Sequence, residues 1–359
     1  MVFFDYLGVD AIIMGDGEEA VVEAAKCLSN EQELSDCIKV VTPNKPDCFN
    51  YILDIDSIHF PYRTPVNASI RRKIVCPPTA SMITMRGCPY KCPFCVSGNL
   101  RGVGRSKYTK RSVKNIIDEL RTLQSDGYHS VIFYDDCFFF GKDTNFQIKE
   151  FCNAFIDANL SLEWTMELRP DAFELLTNKS FELLAKTGCK EINIGFESTN
   201  YSTQQYFNKR YEIKKIAGQC KKGTSVGIAI NGTFIIGGPN ETIDTIYSTI
   251  SASMELGLLF AHFTPLEIYP GTPLYASIYK EDDKMWFYLL KNDNLKWNEI
   301  IYENDIISSQ KLIELASEAY MKFYLNPVWE KLVRDFFDKT QSEKIIGECH
   351  EMIKNRYNL

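Results

Sequence analysis

The sequence predicts an α/β protein whose main part is an incomplete (βα)6 barrel of the TIM type, with a short N-terminal βα remnant and a helical C-terminal extension. From residue 79 onward, short apolar runs alternate with amphipathic helical stretches, which is typical of repeated βα units around a parallel sheet. Six strands and five intervening helices fall short of the eight βα units of a closed barrel. The predicted strands cover 81–87, 130–136, 162–168, 191–197, 227–237 and 261–269, and the predicted helices cover 111–125, 144–158, 172–187, 201–222 and 241–256.

The regions on either side of the barrel differ from it in pattern. Residues 1–40 contain one strand–turn–helix unit, with a strand at 11–15, and a single parallel strand needs neighbours to satisfy its edges. This unit is therefore interpreted as the remnant of a larger domain. Residues 41–78 are rich in Pro, Asn and Asp and predict a linker. Residues 79–280 are the predicted barrel, and residues 281–359 the helical extension, whose aromatics Trp286, Phe287, Tyr288 and Trp297 either line a lid or pack in the core.

Composition excludes several classes of protein. The net charge is −7, from 40 basic and 47 acidic residues, which disfavours a nucleic-acid partner. No apolar run approaches the roughly 18–20 residues of a membrane helix, so we expect no transmembrane segment. The first ten residues lack the basic region of a signal peptide. Twelve cysteines in such a chain favour reduced thiols and a cytoplasmic location.

Three of those cysteines lie in the stretch RGCPYKCPFC, at Cys88, Cys92 and Cys95. A structural zinc site needs four closed ligands, and an all-cysteine [4Fe–4S] cluster also takes four thiolates. Three thiolates leave one iron with an open position, which is a mark of a catalytic metal site. The stretch follows the first predicted strand, at the catalytic face of a barrel. The other nine cysteines are expected to be small buried apolar residues, with Cys76 the best candidate among them for a supplementary role.

The spacing CxxxCxxC, with the aromatic Phe94 before the last cysteine, resembles the signature of the radical SAM superfamily. The resemblance implies that Cys88, Cys92 and Cys95 bind a [4Fe–4S] cluster and that S-adenosyl-L-methionine (SAM) chelates the open iron through its amino and carboxylate groups. It further implies reductive cleavage of SAM to methionine and a 5′-deoxyadenosyl radical.

Downstream stretches are similar to motifs of the branch that includes cobalamin-binding radical SAM enzymes and methylthiotransferases. In VIFYDD (131–136), Asp135 or Asp136 would accept from the ammonium of SAM, and the alternative is a cap on the next helix. In EWTMELRPD (163–171), Arg169 is either a polar contact near SAM or substrate or a member of an ordinary salt bridge. Glu167 and Arg169 are expected to point alternately from their strand, so that they need not share one face.

Three later stretches complete the resemblance. In CKEINIGFES (189–198), Glu197 is expected to contact SAM, and Lys209 is either the basic residue against the SAM carboxylate or a surface lysine. In NGTFIIGGPNET (231–242), Gly237 and Gly238 would allow close approach of the backbone to adenine. In IYPGTPLY (268–275), Pro270 belongs to a stiff turn whose backbone is expected to touch the adenine.

The stretch LGVDAIIMGDGEEAVVEAAKCL near the N-terminus looks like the final βα unit of the Rossmann-like cobalamin-binding domain of the same enzymes. The DxHxxG loop that carries the lower cobalt ligand in that domain is absent from this chain. Cobalamin is therefore a possible cofactor by ancestry, but it is not expected to bind within this chain.

The leading hypothesis is a radical SAM enzyme that abstracts hydrogen from an unidentified substrate, for methylation or another C–H functionalisation, with a flavodoxin or ferredoxin as reductant. One alternative is a methylthiotransferase-like RNA-modifying enzyme, against which the helical, mixed-charge C-terminal region counts. The other is a non-catalytic iron–sulfur protein.

Overall fold

The computed structural model describes residue 4 and residues 8–45, 49–63, 78–100, 108–278, 301–304 and 306–357. Several predicted features lie outside the described residues: much of the predicted linker, the end of the predicted barrel at 279–280, Cys76, and the aromatics Trp286, Phe287, Tyr288 and Trp297. The chain divides into two compact units, Met1–Tyr62 with Thr109–Ser112, and Arg63–Tyr108 with Val113–Leu359.

The larger unit contains a six-stranded sheet in which every neighbouring pair of strands is parallel. Each strand pairs with the one that follows it in the predicted βα series, and this confirms the predicted α/β fold. The sheet has the order β1-β4-β5-β6-β7-β8 and two shorter strands, β2 and β3, pair separately. The strands are β1 (Thr79–Met82), β2 (Met85–Gly87), β3 (Tyr108–Lys110), β4 (Ser130–Phe133), β5 (Glu163–Leu168), β6 (Cys189–Glu197), β7 (Ala229–Ile236) and β8 (Phe260–Pro265).

Helices follow the strands, as the alternating pattern predicts, and three more lie near the C-terminus. They are α1 (Glu18–Ser29), α2 (Ser97–Leu100), α3 (Val113–Ser125), α4 (Thr144–Asp157), α5 (Pro170–Glu174), α6 (Asn178–Lys186), α7 (Tyr201–Tyr206), α8 (Ile213–Ser225), α9 (Ile243–Glu255), α10 (Pro273–Ile278), α11 (Ser309–Tyr324), α12 (Pro327–Phe336) and α13 (Lys339–Tyr357). The strands pack their outward side chains against these helices. In β6, for example, Ile192, Ile194 and Phe196 are fully buried, whereas the alternate Asn193 and Gly195 line a cavity on the opposite face.

Two helices predicted as continuous are each divided in two. Thr177 begins α6 as an N-cap, accepting a hydrogen bond from the backbone N–H of Ser180. Helix α7 ends in a Schellman motif: Asn208 has a left-handed φ of 54°, its N–H bonds to Gln205 O, and the N–H of Lys209 bonds to Gln204 O. The second break brings Lys209 into the cavity wall.

Side chains of the same unit hydrogen-bond to backbone groups at both edges of the open sheet, three times at β8 and once at β1. At β8, the Tyr324 hydroxyl accepts from Ala261 N at 3.0 Å and donates to Ala261 O at 2.9 Å, and the Tyr320 hydroxyl accepts from Phe263 N at 3.2 Å. At β1, the guanidinium of Arg63 donates to Ser81 O at 2.9 Å. Helix α11 therefore supplies hydroxyl groups where a seventh strand would supply backbone groups.

The smaller unit contains α1 and two 3-10 turns, Leu34–Asp36 and Ile55–Ser57. The strand predicted at 11–15 is reduced to single bridges, antiparallel at Ile12–Val41 and parallel at Gly15–Asn50. The apolar residues 11–15 do not form a continuous strand, because the described residues offer no further strand with which they could pair. Gly15 has φ +90° and a Cβ there would lie 2.2 Å from Asn50 O, so this position requires glycine.

Within the described part of the chain, no helix combines the length and the apolar character needed to cross a membrane.

Candidate active site

The cysteine stretch forms a loop after β2, and Cys88, Cys92 and Cys95 all line one cavity of about 380 Å³. The same cavity is lined by side chains at or beyond the carboxyl ends of β4 to β7, including Asp136, Arg169, Glu197 and Thr233. Cys88 and Cys92 are buried, and Cys95 is half-buried. Strands β4 to β7 therefore bring residues at or near their carboxyl ends to the loop, on the face where ligands bind in parallel α/β folds.

Asp135 and Asp136 attach this loop to β4. The Asp135 carboxylate accepts hydrogen bonds from the Thr84 hydroxyl and from the N–H groups of Thr84 and Met85, while Asp136 accepts from Gly87 N at 3.0 Å. Burial raises the pKa of Asp135 to about 6, against the lowering effect of those hydrogen bonds. Both side chains face the cysteine loop and the cavity, so the helix-capping alternative does not describe them.

Arg169 connects β5 to the same loop. Its guanidinium donates to Cys92 Sγ at 3.2 Å, to Asp171 Oδ1 at 2.9 Å and to Asn208 O at 3.0 Å, and it lies 3.7 Å from the ring centroid of Tyr90. Burial acts against its charge, but Asp171 and Cys92 raise the pKa of Arg169 above its ordinary value. Arg169 therefore forms the salt bridge that the sequence offered as one alternative, and it also contacts a cysteine of the loop.

Glu197 and Lys209 form a buried ion pair in the cavity wall, with 2.8 Å between Oε1 and Nζ. Lys209 also donates to Gly195 O at 2.7 Å. Glu197 has a left-handed φ of 63°, at a point where the pairing of β6 with β7 shifts register. A Cβ at Gly195 would lie 2.7 Å from Glu197 Oε1, so Gly195 makes room for the pair. Lys209 is thus a cavity residue rather than a surface lysine.

Several residues of the cavity lining were not selected from the sequence, among them the titratable Cys137 and Glu167. Cys137 was expected to be an isolated apolar thiol, but it packs against Cys88 and lines the cavity. A hydrogen bond between the two thiols lowers the pKa of Cys88 to about 7, while burial opposes that shift. The thiolate is the form that binds metals, so this contact favours the reactive form of Cys88.

Glu167 is the second such residue, and it lines the cavity together with Arg169. The two are separated by two positions, and residues at i and i+2 of a strand project from the same face. The sequence therefore does place them together, contrary to our reading of this strand. Burial and the neighbouring Asp136 and Glu197 raise the pKa of Glu167.

The remaining expected residues divide between the cavity and its surroundings. Phe94 lines the cavity and packs edge-on against Phe207, with 4.9 Å between ring centroids. Gly237 and Gly238 are outside the cavity lining, and their N–H groups donate to the buried Glu241 carboxylate at 2.8 and 3.0 Å. A Cβ added at Gly237 would lie 2.6 Å from the side chain of Leu312. A Cβ added at Gly238 would lie nearest to the ring of Phe207. Pro270 is exposed and also lies outside the lining.

The cavity has the donor set of a thiolate-bound cluster beside groups of both charges. A comparison of the sequence with models of protein families identifies the class of protein that has this arrangement. Residues 82–252 match the model of the radical SAM superfamily. The chain therefore contains a radical SAM domain over these residues and, like the relatives below, it is an enzyme. The family implies a [4Fe–4S] cluster and SAM as cofactors.

Two relatives and one solved structure illustrate the similarity. An uncharacterised methyltransferase of Pyrococcus horikoshii is 26% identical over 92% of this chain and 70% of its own length. The anaerobic magnesium-protoporphyrin IX monomethyl ester cyclase of Rubrivivax gelatinosus is 22% identical over 89% of this chain and 57% of its own length. The radical SAM methyltransferase TsrM of Kitasatospora setae superposes with a TM-score of 0.65 at 18% identity, over 78% of this chain and 55% of that chain. The chain thus spans little more than half of two of these proteins.

The donor set fits the implied cluster. No three His, Cys, Asp or Glu side chains among the described residues converge to hold a single metal ion. The ligands of a four-iron cluster sit on different irons and need not converge on one point. Cys88, Cys92 and Cys95 line one cavity, and Arg169 supplies a positive donor to Cys92, as an anionic thiolate there requires.

Proposed function

We propose that this chain is a radical SAM enzyme that functionalises an unactivated C–H bond of a small molecule, with Cys88, Cys92 and Cys95 as its cluster ligands. The observation that carries the proposal is the convergence of these three thiols with Arg169 and the Glu197–Lys209 pair on one cavity at the carboxyl ends of the sheet. When bound, the cluster and SAM supply a 5′-deoxyadenosyl radical that takes a hydrogen atom from the substrate.

The residues of this chain have separate parts in that chemistry. Asp135 and Asp136 hold the cysteine loop against β4, and Arg169 neutralises charge at Cys92. Lys209 places its ammonium in the cavity wall, where it is suited to compensate a ligand carboxylate. Phe94 lines the cavity and packs against Phe207, so it adds an apolar surface that is suited to shield a radical from water.

The net reaction we propose is methylation or a related C–H functionalisation, as the methyltransferases and the cyclase among the relatives suggest. An electron donor is required, and we propose a flavodoxin or ferredoxin in the cytoplasm. The ten described cysteines are all free thiols, which supports a reducing compartment. Cobalamin is the second cofactor to be tested, because solved structures with a similar fold contain it.

The test is anaerobic reconstitution with iron and sulfide, followed by dithionite and SAM, with 5′-deoxyadenosine as the measured product. We expect the wild-type protein to form it and Cys88→Ala, Cys92→Ala and Cys95→Ala each to lose both the product and the bound iron. Cys220→Ala is the matched control, because Cys220 is a buried thiol of the helical layer. Undiminished product from any of the three variants contradicts the ligand assignment.

Cobalamin use is tested separately by adding hydroxocobalamin during reconstitution and reading the corrinoid absorbance after a desalting column. Retention in a one-to-one ratio would favour cobalamin-linked methyl transfer. A cluster chromophore without corrinoid would favour direct radical functionalisation of the substrate by this chain.

A further inference from the structure

The concave face of the sheet carries a row of polar side chains beneath the cysteine loop. The strand register pairs Glu167 of β5 with Asn193 of β6, and Asn193 with Asn231 of β7. Partners in a parallel register project from the same face, and neighbouring strands lie roughly 4.8 Å apart. A carboxylate and two carboxamides therefore stand side by side, and both Glu167 and Asn193 line the cavity.

The hydrogen bonds within the row orient one of its amides. Asn231 Nδ2 donates to Asn193 Oδ1 at 3.1 Å, so the acceptor of Asn193 is occupied and its NH₂ group is left to donate. Asn231 is nine-tenths buried, and its own Oδ1 has no hydrogen-bond partner in the described part of the chain. A buried carboxamide with an unsatisfied oxygen lowers the stability of the fold. The one hydrogen bond that Asn231 does make orients Asn193.

The charges of the cavity leave Glu167 in need of a cation. Arg169 is engaged by Asp171, Asn208 and Cys92, and Lys209 by Glu197 and Gly195. Asp135 and Asp136 accept from backbone N–H groups of β2, directly before the cysteine loop. The Glu167 carboxylate lies near the like charges of Asp136 and Glu197, which outweigh the opposite charge of Lys209, and it has neither an ion pair nor a hydrogen bond with any residue that the structure describes. A ligand with an ammonium or N–H group would meet that need.

We propose that Glu167 and Asn193 recognise an α-amino carbonyl group of the substrate, with Asn231 as a positioning residue. The carboxylate of Glu167 receives the amine, and the NH₂ group of Asn193 donates to the carbonyl oxygen. The substrate class is thus a free amino acid, an amino amide or the amino terminus of a peptide, rather than a hydrocarbon or a porphyrin ring. This inference rests on the proposed function, because it assigns the cavity to the substrate of that reaction.

SAM also carries an α-amino acid group, so the test must separate the two ligands. The probe is glycinamide, which presents an ammonium and a carbonyl two bonds apart, and propionamide is the matched neutral probe. Binding is measured by saturation-transfer NMR on the reconstituted protein without reductant, first in the absence of SAM and then with saturating SAM. We expect glycinamide to bind at least about tenfold more tightly than propionamide in the wild-type protein.

Variants then locate the binding. Glu167→Gln should remove the preference for glycinamide, and Asn193→Ala and Asn231→Leu should weaken both probes. Thr165→Val is the control. Thr165 lies two residues before Glu167, on the same face of β5, and its substitution should not change the binding of either probe. The cluster absorbance of every variant verifies that it is folded and loaded, and the wild-type preference stands independently of any variant.

Three results would overturn the inference: equal binding of the two probes, full preference in Glu167→Gln, or displacement of glycinamide by SAM, which would assign the pair to SAM. The failures of the two proposals are distinguishable. A wild-type protein that forms 5′-deoxyadenosine but does not prefer glycinamide overturns this inference alone. One that prefers glycinamide but forms no 5′-deoxyadenosine overturns the proposed function alone.

Discussion

Lys209 and Glu197 are joined by an ion pair of 2.8 Å that is almost wholly removed from solvent, and each reaches the other from a point where regular structure is interrupted. Glu197 lies at the register shift of β6 with a left-handed φ, and Lys209 follows the left-handed Asn208 that ends α7. Conformations of this kind cost free energy and persist where surrounding contacts impose them. The pair therefore couples the end of a strand to the end of a helix beside the cysteine loop.

Breaking this pair by Lys209→Met should lower the free energy of unfolding by about 3–5 kcal/mol, because it leaves the Glu197 carboxylate buried and uncompensated. The double variant with Glu197→Gln should recover much of the loss. Chemical denaturation under anaerobic conditions measures both. Lys190→Met is the control: its ion pair with Glu163 is exposed, and its loss should cost less than about 1 kcal/mol. Equal losses in the single and double variants would contradict the coupling.

Arg169→Met should lower the reduction potential of the reconstituted cluster. A positive donor at Cys92 Sγ stabilises negative charge, and the reduced cluster carries one more electron. A tenfold change in a one-electron equilibrium is about 59 mV, so we expect a shift of about 60 mV or more. Redox titration followed by electron paramagnetic resonance measures it. Arg121→Met, which removes an exposed arginine paired with Asp118, should leave the potential unchanged.

Asp135→Asn should change how stability depends on pH. Burial raises the pKa of Asp135 in the folded protein from 3.8 to about 6, so the folded state binds this proton more tightly than the unfolded state does. The stabilisation of the folded state by this proton is fully present below pH 3.8 and is lost as the pH rises through about 6. The variant keeps an oxygen for the N–H groups of Thr84 and Met85, both of which bond to Oδ1.

Between those pH values, the wild-type protein should therefore lose stability relative to Asp135→Asn, by at most roughly 3 kcal/mol. Urea denaturation at a series of pH values measures the difference. Parallel pH profiles of the two proteins would show that Asp135 does not titrate in this range.

Glu241→Ala should destabilise the loop after β7. The fully buried carboxylate accepts from the N–H groups of Gly237 and Gly238 and from the Ser198 hydroxyl, which also contacts the Thr249 hydroxyl, so its removal leaves the two backbone donors unsatisfied. We expect a loss of about 3 kcal/mol or more in the free energy of unfolding. Glu255→Ala removes an exposed carboxylate at the end of α9 and serves as the control. Similar losses in the two variants would mean that the loop does not depend on Glu241.

The sheet was predictable because each strand has its own local signal, an apolar run between helical stretches, and consecutive βα units pair in order. The divisions within two predicted helices were not predicted, although Thr177 and Asn208 are residue types that favour helix ends. Apolar periodicity continues across both breaks, so it favoured a single helix in each case. Capping geometry, rather than periodicity, decides where these helices end.

The site was predicted where the residues follow a recognisable motif, as Cys88, Cys92 and Cys95 do, since all three share one cavity. Cys137 gave no such signal, because a buried cysteine after a strand is a common core residue. Its contact with Cys88 joins residues 49 positions apart and depends on the pairing of β1 with β4. Gly237 and Gly238 illustrate the opposite case: their need for close packing was predictable, but their neighbours, Leu312 and Phe207, were not.

The tyrosine hydroxyls on β8 have a consequence for how this protein behaves at high concentration. An exposed edge strand is a template on which a second chain can add, and its free N–H and C=O groups promote aggregation. Tyr320 and Tyr324 occupy those groups at Ala261 and Phe263. Helix α11 thus ends the growth of the sheet, and a barrel that stays open on one side can exist without seeding intermolecular β-structure from that edge.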